Sequence, residues 1–538
     1  MKHHNNLSVL AKRVLLCITI AAVVSGCTKK FESINTDPYG LSERQLAADF
    51  GLYAAPFRQM QLGIHLYNPT WQYQLQQNLN ADIYSGYMMT PSPFNSNSNN
   101  SNYFMMEGWN DFIWTLAYSQ VMAPSSAAIK QAIRDTLSNF HAWALILRVL
   151  AMQRISDIYG PIIYTSYGLI NKDGSVSYDS QQEAYMAFLK DLDEAQTKLE
   201  PYAADNSLPK VFKNFDMAYG GDYVKWQQLL NSLRLRIALR ISKVDPAKAK
   251  GEGEKALLNK YGVIEDNASD FIIDSKTISN PINDISKSWG DIRMGAPMES
   301  YLAGYDDPRI SKFFEPATDP LIVNEYKGIR NGIEINSGDT YRRHSAVASL
   351  GNKTQLLTAA EVWFLKAEAK LKGWNVPGNF TTVQSLYEEG IRHSFIQWDV
   401  AGKFEDYKNS TAKPLPYVDP INNANSVLVG SPYLSTVSPK WNGAGTNEEK
   451  LEQILTQKWI ALFPESVEAW SEFRRTGYPK LFPVVLNKSG GVLSSNEFIK
   501  RIPFAVSEKT TNQAGLSGAL QKLGGTDNIA TRLWWDKP

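Results

Sequence analysis

Four times along this 538-residue chain, a stretch with apolar residues at helical spacing is followed closely by a second one, and that repetition restricts the fold more than anything else in the sequence. Phe140, Trp143, Ala144, Leu147, Leu150 and Ala151 fall on one face of a helix that stops near Gly160-Pro161. Its partner runs from Ser180 to Leu199. Trp226, Leu229, Leu230, Leu233 and Ile237 repeat the pattern, with Arg234, Arg236 and Arg240 between them. That helix ends before Asp245-Pro246, where another begins. A third pair covers Thr358–Lys372 and Thr381–Trp398, and a fourth covers Glu448–Phe463 and Ser466–Arg475, separated by Pro464.

Four helix hairpins predict a mainly α protein with a tetratricopeptide-like helical-repeat scaffold, although the spacing departs from the roughly 34-residue period of such arrays. Two insertions, roughly 262–355 and 400–446, break the array. They are rich in Gly, Pro, Asn and aromatic residues and are expected to form a loop-rich, irregular ligand-binding lobe with short strands at most. Ahead of the hairpins, residues 42–90 read as mostly helical and about Gly108 to Met122 as a further helix. Between them, residues 91–102 (Pro-Ser-Pro-Phe-Asn-Ser-Asn-Ser-Asn-Asn-Ser-Asn) read as an exposed loop.

The first residues carry an export signal. Lys2, Lys12 and Arg13 precede an apolar run of 11 residues, Val14–Val24, and then come Ser25, Gly26 and Cys27. The run is too short for a permanent membrane span, which needs about 20 apolar residues, and has the length of a signal-peptide core. Small residues directly before a cysteine resemble a bacterial lipobox. Residues 1–26 are therefore expected to be removed and Cys27 to be lipidated. Several acyl chains on that residue make a firm membrane anchor. Residues 27–45 form a polar tether with a turn at Asn35-Thr36-Asp37-Pro38, and residues 46–538 form a single domain.

Composition narrows the function. Lys+Arg 55 and Asp+Glu 54 nearly cancel, with no basic block, so nucleic acid is not expected as a partner. Four histidines lie beyond the leader (His65, His141, His344 and His393), and no two stand at metal-ligand spacing. Neither a Gly-x-Ser-x-Gly elbow nor a phosphate loop occurs, and no cysteine other than Cys27 follows the leader. The reading is a binding protein rather than an enzyme, with neither cofactor nor metal. A composition of 12% aromatic residues with Asn-rich loops suits sugar recognition, and large helical cores also consume aromatics. The competing reading is a helical-repeat scaffold that assembles envelope complexes without a small ligand.

Seven motifs, in order, resemble the SusD/RagB family of outer-membrane nutrient-binding lipoproteins. They are Cys27–Tyr39, Arg154–Ile162 (Arg-Ile-Ser-Asp-Ile-Tyr-Gly-Pro-Ile), the Leu/Arg-rich helix Trp226–Ile241, Ala359–Ala369, Gln457–Pro479, Ile499–Phe504 and the closing Leu533-Trp-Trp-Asp-Lys. The most specific is Gln457-Lys-Trp-Ile-Ala-Leu-Phe-Pro-Glu-Ser with its continuation to Gly477-Tyr-Pro. The resemblance implies a hinged lid over a TonB-dependent, SusC-like transporter in the outer membrane, facing the cell exterior, with an oligosaccharide or less often a peptide as cargo. One departure is Lys29-Lys30, where surface-exposed members often carry acidic residues.

Sugar binding needs flat aromatic faces with amide, carboxylate and guanidinium groups at their rim. Three regions fit. The first lies ahead of the Asn/Ser loop and holds Trp71, Asn78, Asp82, Tyr84 and Tyr87; in the family, residues after the first long helix contribute to the glycan platform. The second, Trp289 to Arg293, lies in the irregular insertion, where the family supplies its other stacking aromatic. The third, Tyr326 to Asn331, is placed to line the same groove. Trp143, Trp226, Trp363, Trp459 and Trp470 lie on helical faces and read as core, while Arg474 and Arg475 read as charges at a helix C-terminus.

Overall fold

The computed structural model describes residues 50–65, 69–205 and 207–538. The leader, Cys27 and the tether lie outside them. The chain divides into two units, Met1–Ala55 and Pro56–Pro538, and the second holds all four hairpins and both insertions. The long helices are α1 Gly51–Gly63, α2 Glu107–Ala117, α3 Ala123–Arg134, α4 Ser138–Tyr159, α5 Gln181–Ala204, α6 Tyr223–Arg240, α7 Pro246–Leu257, α8 Ala359–Leu371, α9 Val383–Gln397, α10 Asn447–Leu462, α11 Ser466–Thr476 and α12 Gln513–Leu523. Among the described residues, no helix is long and apolar enough to cross a membrane.

All four expected hairpins form: α4 packs on α5, α6 on α7, α8 on α9 and α10 on α11. The pairs stack through α5 on α6, α6 on α8 and α8 on α10, and α11 returns to α4. The mainly helical, tetratricopeptide-like scaffold is thus the observed architecture. Local chemistry sets the helix starts. The hydroxyls of Ser180 and Thr446 accept from the backbone N–H three residues on, where Glu183 and Glu449 return the bond. Asp222 caps α6, and Asp245 caps α7 with Pro246 in its first turn. The helices that escaped the sequence reading include α3, which packs along α4, α12, and Ala296–Gly304 within the first insertion, where only loops and short strands were expected.

The five tryptophans on helical faces are buried. Trp143 stacks between Phe57 and Phe212, each ring centroid 4.1 Å away, and meets Trp226 edge-on. The arginines that interrupt α6 are buried too. Arg236 grips Glu361 through two bonds of 2.8 and 2.6 Å, and Arg240 reaches Glu468 and Glu472 at 2.6 Å each. Lys458 lies 3.0 Å from Glu472, and Arg475 holds Glu368 with two bonds of 2.7 Å. An interior seam of paired charges therefore joins α6, α8, α10 and α11. This corrects the expectation for the α11 arginines. Arg475 is buried inside that seam. Arg474 is buried as well and donates to the carbonyls of Asp157 and Lys500.

The described residues of 42–90 depart from the helix expected of them wherever the sequence punctuates it. After α1, a helical turn at Thr70–Tyr73 starts behind Pro69 and widens into a π-turn over Gln74–Asn78. A further turn, Ala81–Tyr84, ends at Ser85-Gly86, with Gly86 at φ +76°. The 91–102 loop is exposed only around Asn95 and Ser96. Asn99 to Asn102 are buried, because Asn99 caps a tight turn and the Asn100 amide donates to Asn80 and Asn110 at 2.8 and 2.9 Å.

Four short strands appear among the described residues: β1 Met88–Met89, β2 Phe271–Asp274, β3 Arg293–Met294 and β4 Lys353–Leu357. β2 pairs antiparallel with β4 inside the first insertion. β1 pairs antiparallel with β3, Met88 opposite Met294, and so fastens that insertion to the chain ahead of the hairpins. Three glycines let the backbones meet there. A Cβ on Gly295 would collide with the Gly86 carbonyl oxygen, and one on Gly328 would lie 2.6 Å from the Gly295 carbonyl oxygen.

Candidate functional site

The β1–β3 ladder brings the first two predicted binding regions to one place. Trp71 stands on the turn Thr70–Tyr73, 46% exposed, with its ring edge-on to Phe112 of α2 at 5.3 Å. Trp289 ends a second π-turn, Asp284–Trp289, and is 38% exposed. Gly290 follows it at φ +73°, a conformation in which a side chain would be strained. The two turns are tied by side chains. Thr70 Oγ1 donates to Asp284 at 3.3 Å, and Gln74 Nε2 donates to Asp291 at 3.1 Å. Ser92 Oγ donates to the other Asp291 oxygen at 2.8 Å. A single carboxylate thus fixes both tryptophan-bearing turns to the start of the 91–102 loop. Arg342 passes beside Gly290, half exposed, 4.0 Å from Asp339. Two open indole rings near carboxylate, amide and guanidinium groups can stack on the apolar face of a sugar and hydrogen-bond its hydroxyls.

The other predicted residues of these two regions lie inside the protein, which corrects their assignment as surface contacts. Asn78 and Asp82 are fully buried: Asn78 Nδ2 donates to Asp82 at 3.1 Å, and Asp82 also accepts from Gln77 and Ser466. Burial pushes the Asp82 carboxyl up to about 6, even though those donors act against the shift. Tyr84 packs on Trp470, with its hydroxyl donating to the Asn100 carbonyl at 3.3 Å. Tyr87 packs on Trp459 and Phe463, with its hydroxyl on the Trp459 carbonyl. These rings already have both faces or their hydroxyl committed to the scaffold. Arg293 is buried and donates to the carbonyls of Arg342, Ser286 and Ile292 at 2.6–2.7 Å. Burial, with Arg342 nearby, lowers its pKa to about 10. It braces the Trp289 turn from beneath.

The third region divides as well. Asn331 donates to the Ile83 carbonyl at 2.7 Å and lines a small internal void with Tyr84 and Trp470. Tyr326 is half-buried, beside Lys327, which bonds Glu299 at 2.6 Å. Residues that the sequence reading did not single out are Gln74, Ser92, Phe112, Asp284, Asp291 and Arg342. Of these only Asp291 had a signal, its place inside Trp289-Gly-Asp-Ile-Arg; its partners lie about two hundred residues earlier in the chain.

The same chain matches known proteins along almost its whole length. The family model for SusD-like proteins, described as Susd and RagB outer membrane lipoprotein, matches residues 33–536. Among solved structures, a chitin-binding SusD homologue from Flavobacterium johnsoniae is 44% identical, with a TM-score of 0.86 over 90% of this chain and 99% of that one. A SusD homologue from Bacteroides vulgatus ATCC 8482 is 37% identical, with a TM-score of 0.83 over 91% of this chain and 98% of the other. One from Bacteroides thetaiotaomicron VPI-5482 is 33% identical, with a TM-score of 0.81 over 90% and 99%. No curated protein matches the sequence.

Proposed function

Because the chain belongs to the SusD-like family of outer-membrane lipoproteins, we propose that it captures a soluble oligosaccharide between Trp71 and Trp289 and delivers it to a TonB-dependent, SusC-like transporter. The observation that carries this reading is the pair of exposed tryptophans on turns that share the Asp291 carboxylate. Large aromatic rings are ordinarily buried, and here the surrounding hydrogen bonds hold two of them open to solvent. The relative from Flavobacterium johnsoniae, itself chitin-binding, supports a saccharide and makes chitin oligosaccharides the first ligands to try. Arg342 and Asp339 supply hydrogen bonds at the rim, and Tyr326 is a more distant contributor. The reading is one of binding without turnover, so the oligosaccharide leaves the protein intact.

The same proposal includes the ends of the delivery path. Residues 1–26 are removed on export, Cys27 carries the lipid, residues 27–45 act as a tether and residues 46–538 fold as the binding domain. The anchored protein faces the cell exterior as a lid on its transporter. Calorimetric titration with chitin oligosaccharides tests the site. Trp289→Ala and Trp71→Ala are each expected to weaken binding about tenfold, the loss of one stacking contact, with unchanged melting temperature. Wild-type affinity in both variants and in their combination would rule out this face. Protease shaving of intact cells tests the display: cleavage is expected, and full protection would exclude the lid.

A further inference from the structure

Basic and acidic residues nearly cancel over the chain, yet basic side chains converge on one cleft of about 350 Å³ at the end of α11. Arg474 and Arg475 line it, joined by Lys243 after α6, Lys480 and Lys500. Arg532 and Lys537 come from the closing segment, and neither Asp nor Glu is among the lining residues. Two of these cations are neutralised: Arg475 by Glu368 and Glu472, and Arg532 by Asp536 at 2.5 Å. The other five have no ion pair within 4.0 Å among the described residues.

Arg474 states the imbalance best. It is 4% exposed, and its donors go to the carbonyls of Trp470, Asp157 and Lys500 and to the Ser471 hydroxyl. Its guanidinium lies 3.6 Å from the Trp470 ring centroid and 5.1 Å from that of Trp535. Burial draws its pKa down to about 9. Lys500 is lowered as well, by burial and then, against the pull of Asp536, by Arg532 and Arg474. Neither the Lys480 nor the Lys500 ammonium makes a hydrogen bond among the described residues. The charged side chains of this concave wall are all basic, and such an excess focuses its field into the cleft. The lining also includes Tyr433, Leu481 and the edge-on pair Phe473 and Phe498 at 4.9 Å, which supply apolar surface. The volume lies at the small end of the range of about 300–1,000 Å³ for ligand sites.

We propose that this cleft is a second ligand site, which binds a small molecule carrying a phosphate or sulfate ester. Lys480 and Lys500 hold the oxyanion, the buried Arg474 adds its charge behind them, and Phe473 and Tyr433 cover the rest of the molecule. The cleft shares no lining residue with the Trp71–Trp289 face, and the inference is independent of the saccharide reading. The ester comes either as a free molecule or as a lipid headgroup.

The test is calorimetric titration of the whole protein with inorganic phosphate and with glycerol 3-phosphate, beside the double variants Lys480→Ala/Lys500→Ala and Lys480→Arg/Lys500→Arg. Neither lysine makes a side-chain bond that the fold uses, so both variants are expected to fold. Saturable binding should weaken with added salt, fall about tenfold or more in the alanine pair and persist in the arginine pair and in Trp289→Ala. Flotation with phosphatidylglycerol against phosphatidylcholine vesicles separates the sources. A preference for the anionic vesicles that the alanine pair loses identifies a headgroup; glycerol 3-phosphate binding without that preference identifies a free ester. Absence of saturable binding to every probe overturns the proposal, as does binding that the alanine pair leaves unchanged. Binding of polyglutamate alone also overturns it and makes the cleft a docking place for an acidic protein segment.

Discussion

Asp82 and Glu465 belong to one buried network, with Gln77, Arg154 and His65 between them, and they respond to pH in opposite senses. Burial raises Asp82 from 3.8 to about 6. The folded state therefore binds a proton more tightly than the unfolded one, and stability present below pH 3.8 is lost as pH rises through about 6. Glu465 is also pushed up by burial, but Arg154 and His65 prevail and bring it down to about 2. Its stability is present above pH 4.5 and is lost as pH falls toward 2. Each effect is about 3 kcal/mol in size. Thermal melts against pH should show the decline between pH 3.8 and 6 removed in Asp82→Asn, and the acid limb below pH 4.5 flattened in Glu465→Gln. Profiles parallel to the wild type would exclude these assignments. At this scale the sequence was a poor guide to Asn78, Asp82, Tyr84 and Tyr87. Aromatic and amide residues three to five apart suit a ligand face and a packed turn equally. What decides for packing is Ser466, 384 residues beyond Asp82.

The helices were legible because their caps and periods are local. Ser180, Asp245 and Thr358 stand where α5, α7 and α8 begin. The two-residue strands β1 and β3 carry no period to read, and their pairing joins the first insertion to a segment far ahead of it. The charged seam was also hidden, since an arginine between leucines reads as a solvated helix face. Its energetics are testable. Arg236→Ala leaves Glu361 buried without its partner and should cost about 3–5 kcal/mol in chemical denaturation. Arg236→Met with Glu361→Leu should recover most of that loss. A double variant as unstable as the single one would argue against the pair as the cause. The Gly295 contact is testable in the same manner. Gly295→Ala should force β1 from β3, cost about 1–3 kcal/mol and weaken saccharide binding without touching the ligand. Amide exchange should rise at Met88, Met89, Arg293 and Met294 while α4 stays protected; unchanged exchange would mean that the backbones tolerate the methyl group.

Over the whole molecule, the family, the mainly α class and the hairpin array were all readable, because they rest on repeated patterns and ordered motifs. Two of the nine ligand-site residues named from sequence, Trp71 and Trp289, stand open to solvent; Asn78, Asp82, Tyr84, Tyr87 and Arg293 are interior. The distinction depends on closure between distant parts of the chain. Gln77 and Asp82 bond Ser466, and Trp459 donates to the Ser85 carbonyl at 2.8 Å.

That closure orders events in time. The segment bearing Trp71 comes early in the chain, yet the groups that hold its Gln77–Tyr87 end in place lie in α10 and α11, more than 370 residues later. Contacts this distant in sequence form late and slowly, since the intervening loop must be closed first. The early hairpins can assemble as they emerge, while Gln77–Tyr87, with Tyr84 and Tyr87 uncovered, waits for α10 and α11. Chains ended just before Asn447 should therefore keep helical circular dichroism, lose saccharide binding and be cut by protease between residues 70 and 103. The proposed binding face is thus braced only when synthesis is well advanced, so unfinished copies are expected to carry no capacity to occupy ligand.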